Sequence, residues 1–195
     1  MADDGTERFT AWGSRVLGII GLAIVAVVVV VGASGVADPY HPAAYAVCGV
    51  VGLLLWAMLV RPSVGVEDDR LVLCNPFTTV RLPLAAIEQV AVRQWLVVQV
   101  GARRYTSSGI GRSRRQALRD DRRGGDIDDI ADLSYGGFVE HRILKLAEDA
   151  RTRQGIAHYS EEQEALGADV RREPAWVEIG LLAAFVVALV VTLLV

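Results

Sequence analysis

The residue types that most often carry chemistry are few in this sequence and widely separated. The histidines His41, His141 and His158 show no ligand spacing such as HExxH, and none stands beside a candidate nucleophile. Cys48 falls in an apolar run and Cys74 on a predicted strand, so neither a CxxC unit nor a disulfide between them is expected. These residues therefore predict no catalytic group, no metal site and no cofactor.

Two short motifs carry weaker signals for ligand binding. The Gly-Ile-Gly at 109–111 is too short for a GxGxxG fingerprint, and no GKS/T sequence follows a strand, so nucleotide binding is not indicated. Asp126, Asp128 and Asp129 offer carboxylates, but the segment lacks the glycine turn and the closing glutamate of an EF-hand. It is interpreted as a solvated acidic segment, with a weak divalent-ion site as the alternative.

The strongest candidate for binding is an arginine-rich insertion at 107–136. Gly101 to Gly125 contains eight arginines and two acidic residues, a local charge of +6, whereas Asp126 to Asp149 has a local charge of −5. Glycine and serine at its edges favour a solvated loop outside the core. The candidate contact residues for a lipid or a partner are Arg112, Arg114, Arg115, Arg119, Arg122 and Arg123.

Three interpretations of this insertion remain open. It is a solvated loop whose arginines are partly neutralised by the acidic block that follows. Alternatively, it contacts an anionic inner leaflet, where each basic residue near the surface contributes about 1 kcal/mol. Nucleic-acid binding is the third, and it is not favoured because arginines there are usually interleaved with aromatics, whereas Tyr105 is the aromatic residue nearby.

Three apolar segments determine where such a loop would lie. Val16 to Ala37 and Ala43 to Val60 have no charged residue, and each is long enough to cross roughly 30 Å of hydrocarbon. The Asp-Pro-Tyr-His-Pro turn between them breaks the helix, which predicts a transmembrane hairpin. Pro174 to Val195 is the third segment, and its Glu178 either pairs across the bundle or marks a functional intramembrane carboxylate.

The arginines that flank these segments predict their orientation. Short cytoplasmic flanks retain arginine and lysine, whereas translocated short loops lack them. The flanking arginines are Arg8, Arg15, Arg61, Arg171 and Arg172, and the hairpin turn has none. The sequence thus predicts a multi-pass inner-membrane protein with a cytoplasmic tail at 1–15 and cytoplasmic residues from 61 to the linker at 156–173. Cleavage of the first segment as a signal peptide after Gly35-Val36-Ala37 is the alternative, and it leaves the soluble part cytoplasmic.

The soluble part reads first as strands and then as a helix. VGVEDDRLVLC predicts a hairpin around a Glu-Asp-Asp turn, Pro83 ends a further strand, and Gly101 is the turn before ARRYTS. Five or six short antiparallel strands result. The predicted core positions of these strands are Val64, Val66, Leu71, Leu73, Val80, Leu82, Ile87, Val90, Val92, Trp95, Val97 and Val98.

Residues 138–155 change to helical spacing. One apolar stripe runs along this segment, and Gly155 is a fitting C-terminal stop. The stripe is Val139, Ile143, Leu146, Ala147 and Ala150. Strands followed by one amphipathic helix predict an α+β domain at 61–155, joined to the third span by a polar linker that forms a short surface helix or an extended connection.

The soluble part also resembles a known family. The transmembrane hairpin is followed by RPSV at 61–64, Asn75-Pro76, VRLP at 80–83, IEQV at 87–90 and RYT at 104–106 before the helix. This arrangement resembles the membrane-anchored PH-domain proteins of actinobacteria and other bacteria. The resemblance implies a PH-like bent sheet or small barrel closed by a C-terminal helix, acting in binding or assembly without an established catalytic role.

The acidic first hairpin departs from lipid-binding PH domains of the eukaryotic type, which carry basic residues at that turn. An acidic turn would repel a phosphorylated headgroup. The sequence therefore predicts a non-catalytic module, tethered to the membrane, that binds another protein or its own copies. The alternative is a peripheral sensor of anionic lipid headgroups through the arginine-rich loop, and an enzyme is the third hypothesis.

Overall fold

A computed structural model describes residues 7–10, 12–34, 40–111 and 135–194, which group into two compact units. Unit 1 contains residues 1–11, 63–75 and 79–173, and unit 2 contains residues 12–62, 76–78 and 174–195. The strands are β1 (Glu7–Phe9), β2 (Ser63–Glu67), β3 (Arg70–Cys74), β4 (Thr78–Pro83), β5 (Gln89–Val92), β6 (Leu96–Val100), β7 (Arg103–Ser107) and β8 (Arg171–Pro174). The α-helices are α1 (Trp12–Ala33), α2 (Pro42–Leu55), α3 (Tyr135–Gln154), α4 (Glu161–Leu166) and α5 (Trp176–Leu194).

Unit 2 contains three apolar helices that are long enough to cross a membrane. These are α1, α2 with its π-helical continuation Trp56–Val60, and α5. The three predicted apolar segments are therefore confirmed as helices of spanning length, although α1 begins four residues before Val16. The start of α2 is capped by His41, whose Nδ1 accepts the Ala43 N–H at 3.2 Å, and Pro42 suits the first helical position.

Small residues allow the helices of unit 2 to approach closely. A Cβ at Gly18 of α1 would lie 2.8 Å from the Leu59 Cβ, and one at Gly49 of α2 would overlap the Phe185 ring of α5. Apolar helices in lipid have little hydrophobic drive to associate, so close van der Waals packing at glycine becomes important. Helix α2 thus packs against both of the other helices.

The first sheet of unit 1 has the strand order β1-β2-β3-β4-β8, and the predicted hairpin is β2–β3. Glu67 pairs with Arg70, which leaves Asp68 and Asp69 as a two-residue turn with φ of 47° and 59°. Two consecutive left-handed residues match the twist of an antiparallel pair, and aspartate tolerates this conformation. The acidic hairpin turn is therefore confirmed.

The second sheet has the order β5-β6-β7, and both of its pairs are antiparallel. Gly101 forms the predicted turn between β6 and β7 with φ of 54°. Helix α3 packs against β5 and against the 3-10 turn at Leu84–Ala86, burying Val139, Ile143, Ala147 and Ala150 completely. The helix ends at Gln154 before Gly155, whose φ of 68° suits a glycine stop, so the predicted helix and an α+β fold are confirmed.

The prediction that Trp95 lies in the core is wrong. The register pairs Val92 with Leu96, so Arg93 to Trp95 form the turn and the Trp95 side chain is 55% exposed. Leu96 is buried instead, and Val97 on the opposite face of β6 is only half-buried. A shift of one residue moves every side chain of a strand to the opposite face. A run of adjacent apolar residues such as WLVV does not indicate which of them face the core.

The structure also has strands outside the predicted five or six. β1 lies in the segment expected to be the N-terminal tail, and β8 lies in the segment expected to be the linker. Both are short, polar edge strands of the first sheet, so neither carries the apolar alternation by which strands are recognised in a sequence. The linker segment thus contains both a short helix, α4, and an extended strand, β8.

Candidate functional site

The six arginines predicted to contact a lipid or a partner lie outside the described residues. Arg112, Arg114, Arg115, Arg119, Arg122 and Arg123 fall between Gly111 and Tyr135, where the description stops and resumes. The acidic residues Asp126, Asp128 and Asp129 fall in the same interval. The structure does, however, show where the residues on either side of this interval lie on unit 1.

The segment before the interval lies against the start of β2. A Cβ added at Gly109 would be 2.9 Å from the backbone nitrogen of Ser63, and one at Gly111 would clash with the Gln94 carbonyl oxygen. The Ser107 hydroxyl is buried and accepts the Gly109 N–H at 3.3 Å. Only glycine allows this approach, so residues 107–111 are held between the first residue of β2 and the β5–β6 turn.

The segment after the interval begins at the same end of unit 1. The Tyr135 hydroxyl accepts the Thr10 N–H at 3.0 Å, and Thr10 follows β1 directly. Phe9 pairs with Val64, which places the end of β1 beside the start of β2. We call this end of unit 1, defined by Thr10 and Ser63, the anchor end, because both residues are within three positions of an apolar helix in the sequence.

The anchor end carries exposed polar and aromatic side chains. Arg93, Gln94 and Trp95 are all exposed in the β5–β6 turn. The Val92 N–H just before the turn donates to the Glu140 carboxylate of α3 at 3.0 Å, so the turn is joined to the helix that Tyr135 begins. Sequence reasoning missed this surface because it assigned Trp95 to the core.

The acidic hairpin turn lies at the opposite end of β2. Strand β2 has five residues from Ser63 to Glu67, so its two ends are about 13 Å apart. Asp69 pairs with Arg153 at 2.7 Å, and the Glu67 carboxylate lies 3.6 Å from Arg8 and 3.7 Å from Arg81. The negative charge expected at this turn is therefore partly neutralised by arginines of β1, β4 and α3.

A shallow depression of about 350 Å³ separates β1 from α3 and is lined by Glu7, Phe138, His141, Arg142 and Lys145. Glu7 and Arg142 form an ion pair, with Nε to Oε2 at 3.0 Å. The hydrogen bond from Arg142 lowers the pKa of Glu7, and the same bond raises the pKa of Arg142. His141 and Lys145 are exposed beside this pair, so an imidazole and an ammonium group are accessible in the depression.

The three histidines lie in different parts of the described structure. His41 caps α2, His141 lies on the outer face of α3, and His158 stacks on Tyr159 with ring centroids 4.0 Å apart. Cys48 and Cys74 are both free. No group of three or more metal-ligating side chains occurs within the ranges that the structure describes.

Unit 2 has a polar cluster of its own at the ends of α2 and α5. The Arg61 Nε lies 2.7 Å from the Glu178 carboxylate, and both side chains are less than one-fifth exposed. Arg61 also donates to the Pro76 carbonyl at 3.0 Å, and the Phe77 carbonyl accepts the Ala175 N–H at 2.9 Å. Glu178 thus pairs across the helices, which is one of the two roles expected for it.

Gln163 is a buried polar residue that the sequence analysis did not identify. Its side chain is 1% exposed, and its Nε2 donates to the carbonyls of Ala85 and Ile87 at 3.1 and 3.2 Å. Its Oε1 accepts the Tyr159 N–H at 2.6 Å. The spacing from Ser160 to Gln163 is that of a capping box, a sequence signal that marks the start of α4 but not its burial.

Neither a scan against protein-family models nor searches of curated proteins and of solved structures found a match to this chain.

Proposed function

We propose that this protein is a membrane-tethered, PH-like binding or assembly module on the cytoplasmic face, without a catalytic role. The observation that carries the proposal is how directly unit 1 continues into helices of spanning length. Two residues separate β1 from α1, two separate the π-helical turn from β2, and one separates β8 from α5. Such short connections hold the β-rich unit at a membrane surface, since each residue reaches at most about 3.6 Å.

The PH-like assignment is supported by the order and packing of unit 1. Strands β2 to β4 form one antiparallel set, β5 to β7 form a second, and α3 follows them in the chain. Helix α3 covers β5 and the 3-10 turn with a fully buried stripe. The resemblance to bacterial membrane-anchored PH-domain proteins implies a bent sheet or small barrel closed by a C-terminal helix, and antiparallel strands covered by a following helix support that assignment.

The cytoplasmic orientation is supported by the flanking arginines together with the connections. One compact unit holds Thr10, Ser63 and Glu173, so the helix ends next to these residues share one side of a membrane that α1, α2 and α5 each cross once. Arginine lies near all three ends, whereas the segment between α1 and α2 contains none. Arginine-rich short flanks are retained in the cytoplasm.

The best candidate for a protein-binding surface in unit 1 is the outer edge of β7. Among the described strands, β7 pairs only with β6. The Thr106 carbonyl near its end accepts the Asn75 side-chain N–H at 3.0 Å, whereas Arg103 and Arg104 at its start are exposed. Strand β5, at the other edge of this sheet, is covered by α3, and β8 is a charged edge that ends in Pro174, a common protection against pairing. The exposed start of β7 could therefore accept an extended segment of a partner by β-augmentation.

A photo-crosslinking amino acid at position 104 of the full-length protein tests this proposal in membranes. We expect protease-sensitive adducts of discrete mass with a protein, which can be a second copy of the chain, and we expect them at low and at high salt. The matched control places the same amino acid at Glu161, which is exposed on α4. The proposal fails if position 104 gives no protein adduct, or if the two positions give the same adducts.

The alternative function is sensing of anionic lipid headgroups by the arginine-rich loop. It is supported by the local charge of +6 and by the position of Gly111 and Tyr135 at the anchor end. Hydrogen exchange of residues 107–134 in nanodiscs tests it with anionic and neutral lipids at two salt concentrations. Slower exchange that is limited to anionic lipid, and is lost at high salt and when the six arginines are changed to Gln, would favour this alternative.

A further inference from the structure

A large aromatic side chain is exposed in the β5–β6 turn of unit 1. Trp95 is 55% exposed in the β5–β6 turn, while its neighbour Leu96 is fully buried. The indole is flanked by the exposed Arg93 and Gln94, and no described residue forms a hydrogen bond or an aromatic contact with it. Single exposed apolar side chains are common on protein surfaces, so the location of this turn and the residues beside the indole decide what it contacts.

The position of this turn is determined by contacts within unit 1. Gly111 lies against the Gln94 carbonyl, and Gly109, two residues earlier, lies against the backbone of Ser63. Ser63 is separated from the end of an apolar helix by two residues, Arg61 and Pro62. The turn is therefore located at the anchor end of unit 1, and the anchor-end residue Ser63 is close along the chain to a helix of spanning length.

The chemistry of the turn matches a bilayer surface. Tryptophan is enriched at the membrane–water boundary, where its ring lies among headgroup and glycerol atoms and its N–H is solvated. A basic residue near an anionic leaflet is attracted to the lipid phosphates. Arg93 and Gln94 can remain hydrated among headgroups, whereas the core of a protein interface is depleted of charged residues. A protein partner would instead require a continuous apolar surface around Trp95. The two residues that precede it in the turn, Arg93 and Gln94, are polar.

We infer that the β5–β6 turn docks on the lipid bilayer, with the Trp95 indole inserted at the headgroup boundary and the Arg93 guanidinium beside lipid phosphates. This contact is separate from the binding function proposed for the β7 edge, and it does not require the arginine-rich loop. The turn acts as a fourth attachment of unit 1 to the membrane, in addition to the three chain connections.

Tryptophan fluorescence of the full-length protein in nanodiscs tests the inference directly. Trp12, Trp56 and Trp176 are changed to Phe, which leaves Trp95 as the single tryptophan. We expect blue-shifted emission, quenching by lipids that carry a spin label near the headgroup, and an iodide quenching constant at least about threefold below that of an exposed tryptophan. Arg93→Gln is expected to weaken the lipid quenching in anionic nanodiscs and to leave it unchanged in neutral ones.

The chain offers a matched control in the same unit. Tyr159 is 63% exposed, and its hydroxyl accepts from the side chain of Gln89, the β5 residue farthest from the β5–β6 turn. Tyr159→Trp in a chain whose other tryptophans are Phe should be quenched by iodide and not by labelled lipid. If the triple Phe variant does not fold, the difference in emission between the native chain and Trp95→Phe reports the same signal.

Two outcomes would overturn the inference. One is iodide quenching of Trp95 equal to that of the Tyr159→Trp control, which would show a solvated turn. The other is shielding from iodide without any quenching by labelled lipid, which would show that a protein surface covers the indole. Neither outcome contradicts the proposed β7 interface, which is tested at position 104.

Discussion

At the scale of single residues, the polar contacts of unit 1 explain how its irregular segments are held. Gln163 connects α4 to the 3-10 turn and the residue after it, because its side chain donates to the carbonyls of Ala85 and Ile87. Arg151 also donates to the Ile87 carbonyl, at 2.7 Å. A buried amide is stable only when its donors and acceptor are paired. The residues after α3 are thereby part of the folded unit rather than a free connection.

Replacing Gln163 by Leu is expected to lower the free energy of unfolding of unit 1 by about 2–3 kcal/mol. The Ala85 carbonyl and the Tyr159 N–H lose their side-chain partner, whereas the Ile87 carbonyl keeps Arg151. Denaturant unfolding monitored by circular dichroism measures the change. Gln154→Leu, at an exposed position, is the control, and equal effects of the two substitutions would contradict this reading of Gln163.

The ion pair between Glu7 and Arg142 predicts a pH dependence of stability. Its hydrogen bond lowers the pKa of Glu7 in the folded state, so folding favours the ionised carboxylate. The contribution is present above the pKa of Glu7 in the unfolded chain and is lost as the pH falls through the lower folded-state pKa. Unfolding measured from pH 7 to pH 3 should therefore show a smaller loss of stability for Glu7→Gln than for the native chain.

A comparison with Arg142→Gln makes this prediction specific to the pair. This variant should be less stable than the native chain at pH 7 and should lose less stability on acidification. If both variants kept the pH profile of the native chain, the pair would not stabilise the fold.

At the scale of elements, close packing at glycine determines how the helices of unit 2 associate. Gly18 has no room for a side chain beside Leu59, while a Cβ placed at Gly13 on the same helix would have no heavy atom within 4 Å among the described residues. The Leu59 Cβ is attached to the backbone, so it cannot yield by changing a rotamer. Substitution at the two glycines therefore compares a methyl group that clashes with one that does not.

Gly18→Ala is expected to weaken the association of α1 and α2, by about 1–3 kcal/mol as for other overpacked contacts. Gly13→Ala adds the same methyl group in the first turn of α1 without a clash and serves as the control. Titration with a denaturing detergent measures the stability of the helical unit. A Gly18→Ala protein as stable as Gly13→Ala would show that α1 and α2 do not pack at this glycine.

At the scale of the whole molecule, the proposed orientation places the β-rich unit and the α1–α2 connection on opposite sides of the membrane. Single cysteines at Tyr40 and at Arg172, in a chain whose Cys48 and Cys74 are changed to Ser, test this with a maleimide that does not cross membranes. Both positions are exposed. We expect labelling at position 40 in intact cells and labelling at position 172 only after the membrane is opened, and the reverse pattern would refute the orientation.

Much of the architecture could be predicted because its signals are local. Long uncharged runs identify the three apolar helices, the alternation of Val64 and Val66 identifies β2, and an i, i+3, i+4 stripe identifies α3. Pairing is not local. Strands β1 and β8 exist because a neighbouring strand accepts them, and Trp95 is exposed because the register begins β6 at Leu96.

The sequence by itself determined the number of apolar helices, the α+β class of the soluble unit and the charge blocks, since composition and periodicity along the chain carry these properties. The tertiary structure decided which residues meet. It paired Glu178 with Arg61, buried Gln163, and brought Gly111, Trp95 and Tyr135 to the end of unit 1 that carries Thr10 and Ser63. Such contacts join residues far apart in the chain, so they depend on strand register and helix packing rather than on any local pattern.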